Sequence, residues 1–87
     1  MRYEVRLRRA AQKGLDALPE REYEMVAEAI GILEENPRPP RVKKLAASGL
    51  WRIRVGQYRI VYVIDDEARL VTIVRVDRRK ESTYKGL

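Results

Sequence analysis

The chain has no cysteine and no histidine among its 87 residues. Without cysteine there are no disulfides and no thiolate zinc sites, and a reducing compartment, the cytoplasm, is the expected location. Without histidine, imidazole triads and His-ligated metals are excluded. No metal or cofactor is therefore called for, and acid–base chemistry falls to Tyr, Lys, Arg or carboxylates. No apolar run approaches the ~18 residues of a membrane span, so no membrane association is expected. The opening residues, MRYEVRLRRA, lack the apolar stretch of a signal peptide. The length suits one domain, residues 1–87, with a small core. A composition 45% hydrophobic and 37% charged fits a globular rather than a disordered chain.

What is present in abundance is positive charge, and it is segregated. The net charge is +6. Residues 20–36 hold six Glu against one Arg, whereas residues 37–64 hold Arg38, Arg41, Lys43, Lys44, Arg52, Arg54 and Arg59 with no acid. Such a division predicts one polyanion-binding face and one ordinary solvated face. The competing reading is a basic surface with no ligand.

Periodicity gives the elements. Residues 2–7 alternate Tyr3, Val5 and Leu7 against Arg2, Glu4 and Arg6, the pattern of a half-buried strand. Over residues 8–18, Ala11, Leu15 and Leu18 fall at helical spacing with Ala10 beside them. Pro19 ends that run. In residues 20–35, Tyr23, Val26, Ala27, Ile30 and Leu33 mark a second amphipathic helix, and Glu20, Glu22 and Glu24 suit its positive end. NPRPP, residues 36–40, predicts a stiff extended connector. Strands are expected at 42–46, 50–55, 58–64 and 69–76, with residues 65–68 as the last loop. The order β-α-α-β-β-β-β predicts an α+β fold: two N-terminal helices packed on one face of a small antiparallel sheet. The other face is left to water or a partner.

The segment LWRIRVGQYRIVYVI asks why three arginines sit in the best strand-forming stretch. Gly56 followed by Gln57 suits a two-residue type II′ hairpin. That turn pairs Val55 with Tyr58, Arg54 with Arg59, Ile53 with Ile60, Arg52 with Val61 and Trp51 with Tyr62. One face then carries Trp51, Ile53, Val55, Tyr58, Ile60 and Tyr62, and the other carries Arg52, Arg54, Arg59, Val61 and Val63. Like charges directly across strands destabilise by tenths of a kcal/mol to about 1 kcal/mol. Arginine cannot escape by deprotonation. A phosphate would convert the repulsion into attraction, since guanidinium matches its oxygens bidentately. Solubility and edge protection are the plainer explanation, adequate for one such arginine more than for three. Asp65, Asp66 and Glu67, in the next turn, are the nearest acids in sequence. Extending strand parity through the next hairpin pairs Val61 with Thr72 and Arg59 with Val74. It continues the arginine face through Val76 to Arg78. Lys43, Lys44, Arg78, Lys80 and Lys85 are candidate RNA-binding cations, and Tyr84 stacks on a base, moves a proton or packs on the sheet.

LWRIRVGQYRIVYVID followed by VTIVRVDRRKESTY, with KGLDALP and ENPRPPRVKKL before them, resembles the RelE/ParE superfamily of toxins from toxin–antitoxin pairs. The likeness spans nearly the whole chain. Its RelE branch implies a ribosome-dependent mRNA endonuclease, in which the ribose 2′-hydroxyl attacks the adjacent phosphate. Mapped residue by residue, the resemblance assigns catalytic roles to Arg52, Arg54, Arg59, Arg79 and Tyr84. Some relatives carry lysine where this chain has Arg52 and Arg54, and arginine cannot serve as a general base. The motif favours Arg79 at the phosphate whereas parity favours Arg78, and a bulge would reconcile the two. Asp77 adds an acid beside that position. The implied partners are a cognate acidic RelB-like antitoxin, the ribosome and mRNA. ParE-type relatives inhibit DNA gyrase instead, and an inactive interaction module is a third alternative.

Overall fold

The computed structural model describes residues 2–45 and 48–78. The elements run β1 (Glu4–Leu7), α1 (Arg9–Asp16), α2 (Glu20–Glu35), β2 (Lys43–Leu45), β3 (Leu50–Val55), β4 (Tyr58–Asp65) and β5 (Leu70–Arg78). The strands form one sheet in the order β1-β5-β4-β3-β2. Three of its four pairings are antiparallel. The fourth departs from the antiparallel expectation: β1 runs parallel to β5, with Val5 beside Val71 and Leu7 beside Ile73.

The helices cover one face of the sheet. Ala11 and Leu15 from α1 and Val26, Ile30 and Leu33 from α2 are buried against Tyr58, Ile60, Tyr62, Val71, Ile73 and Val76. Burial of each Val, Leu or Ile side chain among them contributes about 1.5–3 kcal/mol. Leu18 packs on this core from beyond the end of α1. Tyr23, an expected core residue, is exposed, and its neighbours at helical spacing carry the burial instead. Both sheet edges are guarded in the usual way: β2 is three residues long with two lysines, and β1 exposes Glu4 and Arg6.

Two tethers fix the ends of these elements. The Tyr3 N–H donates to the Glu34 carbonyl at 2.7 Å, satisfying one of the orphan acceptors at the end of α2. The Tyr62 hydroxyl donates to the Pro37 carbonyl at 2.7 Å, anchoring the connector to the sheet. The connector is less extended than its prolines suggested: the Val42 N–H donates to Pro39 O at 3.2 Å, and Arg41 takes a φ of 76°. Among the described residues no helix is long and apolar enough to cross a membrane.

Candidate nucleic-acid interface

The β3–β4 hairpin is the frame of the site. Its register pairs Trp51 with Tyr62, Arg52 with Val61, Ile53 with Ile60, Arg54 with Arg59 and Val55 with Tyr58, as the turn chemistry predicted. Gly56 sits at φ 59°, which only glycine adopts readily and a type II′ turn requires at its first central position. Tyr58, Ile60 and Tyr62 are buried beneath the helices, which leaves Arg52, Arg54 and Arg59 on the uncovered face.

Neighbouring strands enlarge this cationic face. Lys43 lies directly opposite Arg52, and Arg75 directly opposite Val61. Lys44 goes elsewhere: it pairs with Trp51, and its Nζ lies 5.6 Å from the indole ring, on the other side of β2. Lys43 and Lys44 therefore do not act together. Among the described residues neither Arg52 nor Arg54 is ion-paired. The turn acids do not reach them. Asp66 instead accepts both Arg38 guanidinium nitrogens, at 3.1 and 2.9 Å, and the Tyr3 hydroxyl at 2.7 Å. The Asp65 carboxylate accepts the Ala68 N–H at 3.1 Å, closing the turn locally.

The β4–β5 hairpin differs from the parity expectation. Val63, not Val61, pairs with Thr72, and Arg59 pairs with Asp77 rather than Val74. A bulge between Val61 and Tyr62 leaves Val74 without an opposite number and inverts the alternation beyond it. Val76, expected on the arginine face, is buried in the core opposite Ile60. Arg78, expected there by the same parity, pairs with Tyr58 and donates from Nη2 to Gln57 Oε1 at 2.9 Å. In their place the bulge turns Arg75 and Asp77 to the open face, where they form an ion pair of 3.0 Å. Arg75 was missed in the sequence. Its signal was a charge at a position that strict alternation after Val71 and Ile73 would have buried.

Among the described residues the open face and its end carry a cleft and a recess. A cleft of about 640 Å³ lies at the sheet end where β4 starts and β5 finishes. Arg59, Arg75, Asp77 and Arg78 line it, with Tyr58, Val76, Gly14 of α1 and Ala17, Leu18 and Pro19 of the α1–α2 junction as its apolar wall. Its volume suits a small organic group such as a nucleotide. A second recess of about 370 Å³ is lined by Arg41, Lys43, Arg52, Arg54 and Gly56. Arg79, Lys80, Tyr84 and Lys85 lie outside the described residues.

Fold and site together define a small α+β domain with an uncovered, cation-bearing sheet face. Residues 5–83 match the family described as the ParE toxin of type II toxin–antitoxin systems, parDE. The toxin RelG of Mycobacterium tuberculosis is 39% identical, covering 93% of this chain and 95% of its own. The putative toxin RelE1 of Methanocaldococcus jannaschii is 32% identical over 99% of both chains. The structure of an archaeal RelE–RelB complex from Pyrococcus horikoshii superposes with a TM-score of 0.82 at 31% identity, covering 93% of this chain and 99% of that one. The chain belongs to the RelE/ParE superfamily of type II toxin–antitoxin toxins.

Proposed function

We propose that this toxin is a ribosome-dependent mRNA endonuclease. The single observation that supports it most is the run of cations Lys43, Arg52, Arg54 and Arg59 across three strands of the open sheet face, with no acid interposed. In the proposed reaction the ribose 2′-oxygen bonds to the adjacent phosphorus and the bond from phosphorus to the 5′-oxygen breaks. The 2′-hydroxyl gives up its proton and the leaving 5′-oxygen gains one. A cyclic phosphate and a 5′-hydroxyl result. Such in-line transfer needs positioning and charge stabilisation more than covalent help. Arg59, with Arg79, holds the scissile phosphate as its charge grows, and Tyr84 orients or deprotonates the 2′-hydroxyl. The ribosome supplies the remaining alignment of the message.

The test is cleavage of a defined message on programmed ribosomes, read by primer extension. Arg59→Ala should slow cleavage about 10²-fold, the usual effect of removing one charge-stabilising donor. Arg59→Ala combined with Arg79→Ala should abolish it. Undiminished cleavage by the double variant refutes the assignment. Because the family description carries the ParE name, a gyrase supercoiling assay belongs beside it. Inhibition of supercoiling without RNA cleavage would give the chain the other target.

The toxin is further proposed to be held by a cognate acidic antitoxin, as the Pyrococcus RelE is found in complex with RelB. A net charge of +6 and an uncovered cationic face favour an acidic, partly disordered chain that orders on binding.

A further inference from the structure

Arg52, Arg54 and Arg59 are neighbours by strand pairing, yet they line different concavities. Arg59 lies in the cleft with Arg75 and Asp77. Arg52 and Arg54 lie in the recess with Arg41 and Lys43. The two share no described lining residue. The cleft contains a carboxylate; the lining of the recess has four cations and none. Among the described residues none of the four is ion-paired, so their mutual repulsion has no internal relief.

Arg41 was not singled out as a site residue from the sequence. It occupies the left-handed region at φ 76°, where glycine fits without strain and arginine does not. The turn that places it there is closed by the Val42 N–H donating to Pro39 O. The result is a guanidinium at the start of the edge strand, in the same recess as Lys43 and Arg52. Gly56 completes the lining.

We propose that this recess is a second phosphate site, which grips a non-scissile phosphodiester of the RNA, and that Arg41 and Lys43 work in it with Arg52 and Arg54. The proposal rests on the RNA-cleavage reading and refines it. From β2, which bears Lys43, to β4, which bears Arg59, is two strand spacings, about 10 Å. That separation puts the recess at a phosphate beside the one being cut. Arg41 and Lys43 thus bind substrate and transition state alike, and their removal is felt in affinity, whereas Arg54 stands directly across from Arg59 on the next strand. Arg59 acts where charge develops, and its removal is felt in the catalytic rate. This division adds two binding cations beside the residues to which the resemblance assigns catalysis.

The experiment uses the full chain and a labelled RNA oligonucleotide carrying 2′-methoxy groups, which blocks cleavage. Binding is followed by fluorescence anisotropy across a salt series. Arg41→Ala with Lys43→Ala should weaken binding about tenfold at ~0.1 M salt and flatten the log–log salt slope by roughly 0.7 for each phosphate no longer gripped. On programmed ribosomes the same variant should raise KM about tenfold and change the saturating rate less than about threefold. Arg41→Gly removes the cation while relieving the backbone, so a loss of binding there excludes misfolding as the cause. Arg41→Lys should recover most of the salt slope. An unchanged slope and affinity, failure of the wild type to bind the oligonucleotide, or a fall in saturating rate with KM intact overturns the second site. Should the wild type bind with the expected slope but never cleave on ribosomes, the nuclease reading fails and the phosphate site stands.

Discussion

Asp66 is the residue on which the far end of the sheet is fastened. It joins the β4–β5 turn to the connector through Arg38 and to the start of β1 through Tyr3. Arg38 in turn lies 5.0 Å from the Trp51 ring centre. The hydrogen bonds from Arg38, then from Tyr3, lower the Asp66 carboxyl from 3.8 to about 2. A depressed folded-state value means a contribution present above pH ~4 and lost as pH falls towards 2. Urea midpoints measured between those values should drop less steeply for Asp66→Asn than for the wild type. Tyr62 has the opposite sign. Its burial raises the phenol from 10.0 to about 12. Stability tied to it is intact below pH 10 and is lost as pH rises towards 12, so Tyr62→Phe should remove that alkaline loss. At neutral pH the same substitution should cost about 1–2 kcal/mol, because the Pro37 carbonyl loses its donor. Equal midpoints for Tyr62→Phe and wild type in urea would refute this.

Two glycines in the helices separate packing from propensity. Gly14 in α1 faces β5, and a Cβ there would run into the Val76 carbonyl oxygen. Gly31 in α2 has nothing within 4 Å of the same position. Propensity alone favours alanine at both by about 0.5–1 kcal/mol. Gly31→Ala should therefore stabilise by that amount. Gly14→Ala should destabilise by about 2 kcal/mol, since backbone cannot yield as a side-chain tip can, and lower Tm by roughly 10 °C. Thermal melts of the two single variants decide it, and like-signed shifts would sink the argument. The elements also show what pattern-reading can reach. The β3–β4 register was legible because a two-residue turn with glycine first leaves one pairing. The β4–β5 register was not: the turn lies at residues 66–69 rather than 65–68, which slides Thr72 from Val61 to Val63, and Val71, Thr72, Ile73 and Val74 look equally at home in either register, with the bulge following at Val74. Arg75 was the one local clue, as a regular alternation would have buried it. The parallel docking of β1 on β5 left no trace in either strand, since it depends on where two intervening helices set the chain down.

At the scale of the molecule, acid and base are sorted onto different layers. The outer face of α2 is acidic, and the recess on the uncovered sheet face is lined by four cations and no carboxylate. Loss of any one cation of the recess should therefore favour the fold while harming nucleic-acid binding. Arg52 is the sharpest case. It stands directly across from Lys43, with Arg54 two residues along the same strand, and no carboxylate pairs with it among the described residues. Threonine is a good strand former that keeps a polar group there. Arg52→Thr should raise the stability of the free toxin by a few tenths to about 1 kcal/mol in low-salt urea titrations. The gain should shrink near 1 M salt, where the screening length falls to about 3 Å. The same variant should bind RNA more weakly than the wild type at every salt concentration. A ligand that binds only the folded chain stabilises it by mass action, so RNA should raise the wild-type Tm more than that of Arg52→Thr. An Arg52→Thr chain less stable than the wild type at low salt would mean that the cations are not repelling one another, and that the open face is not waiting for an anion.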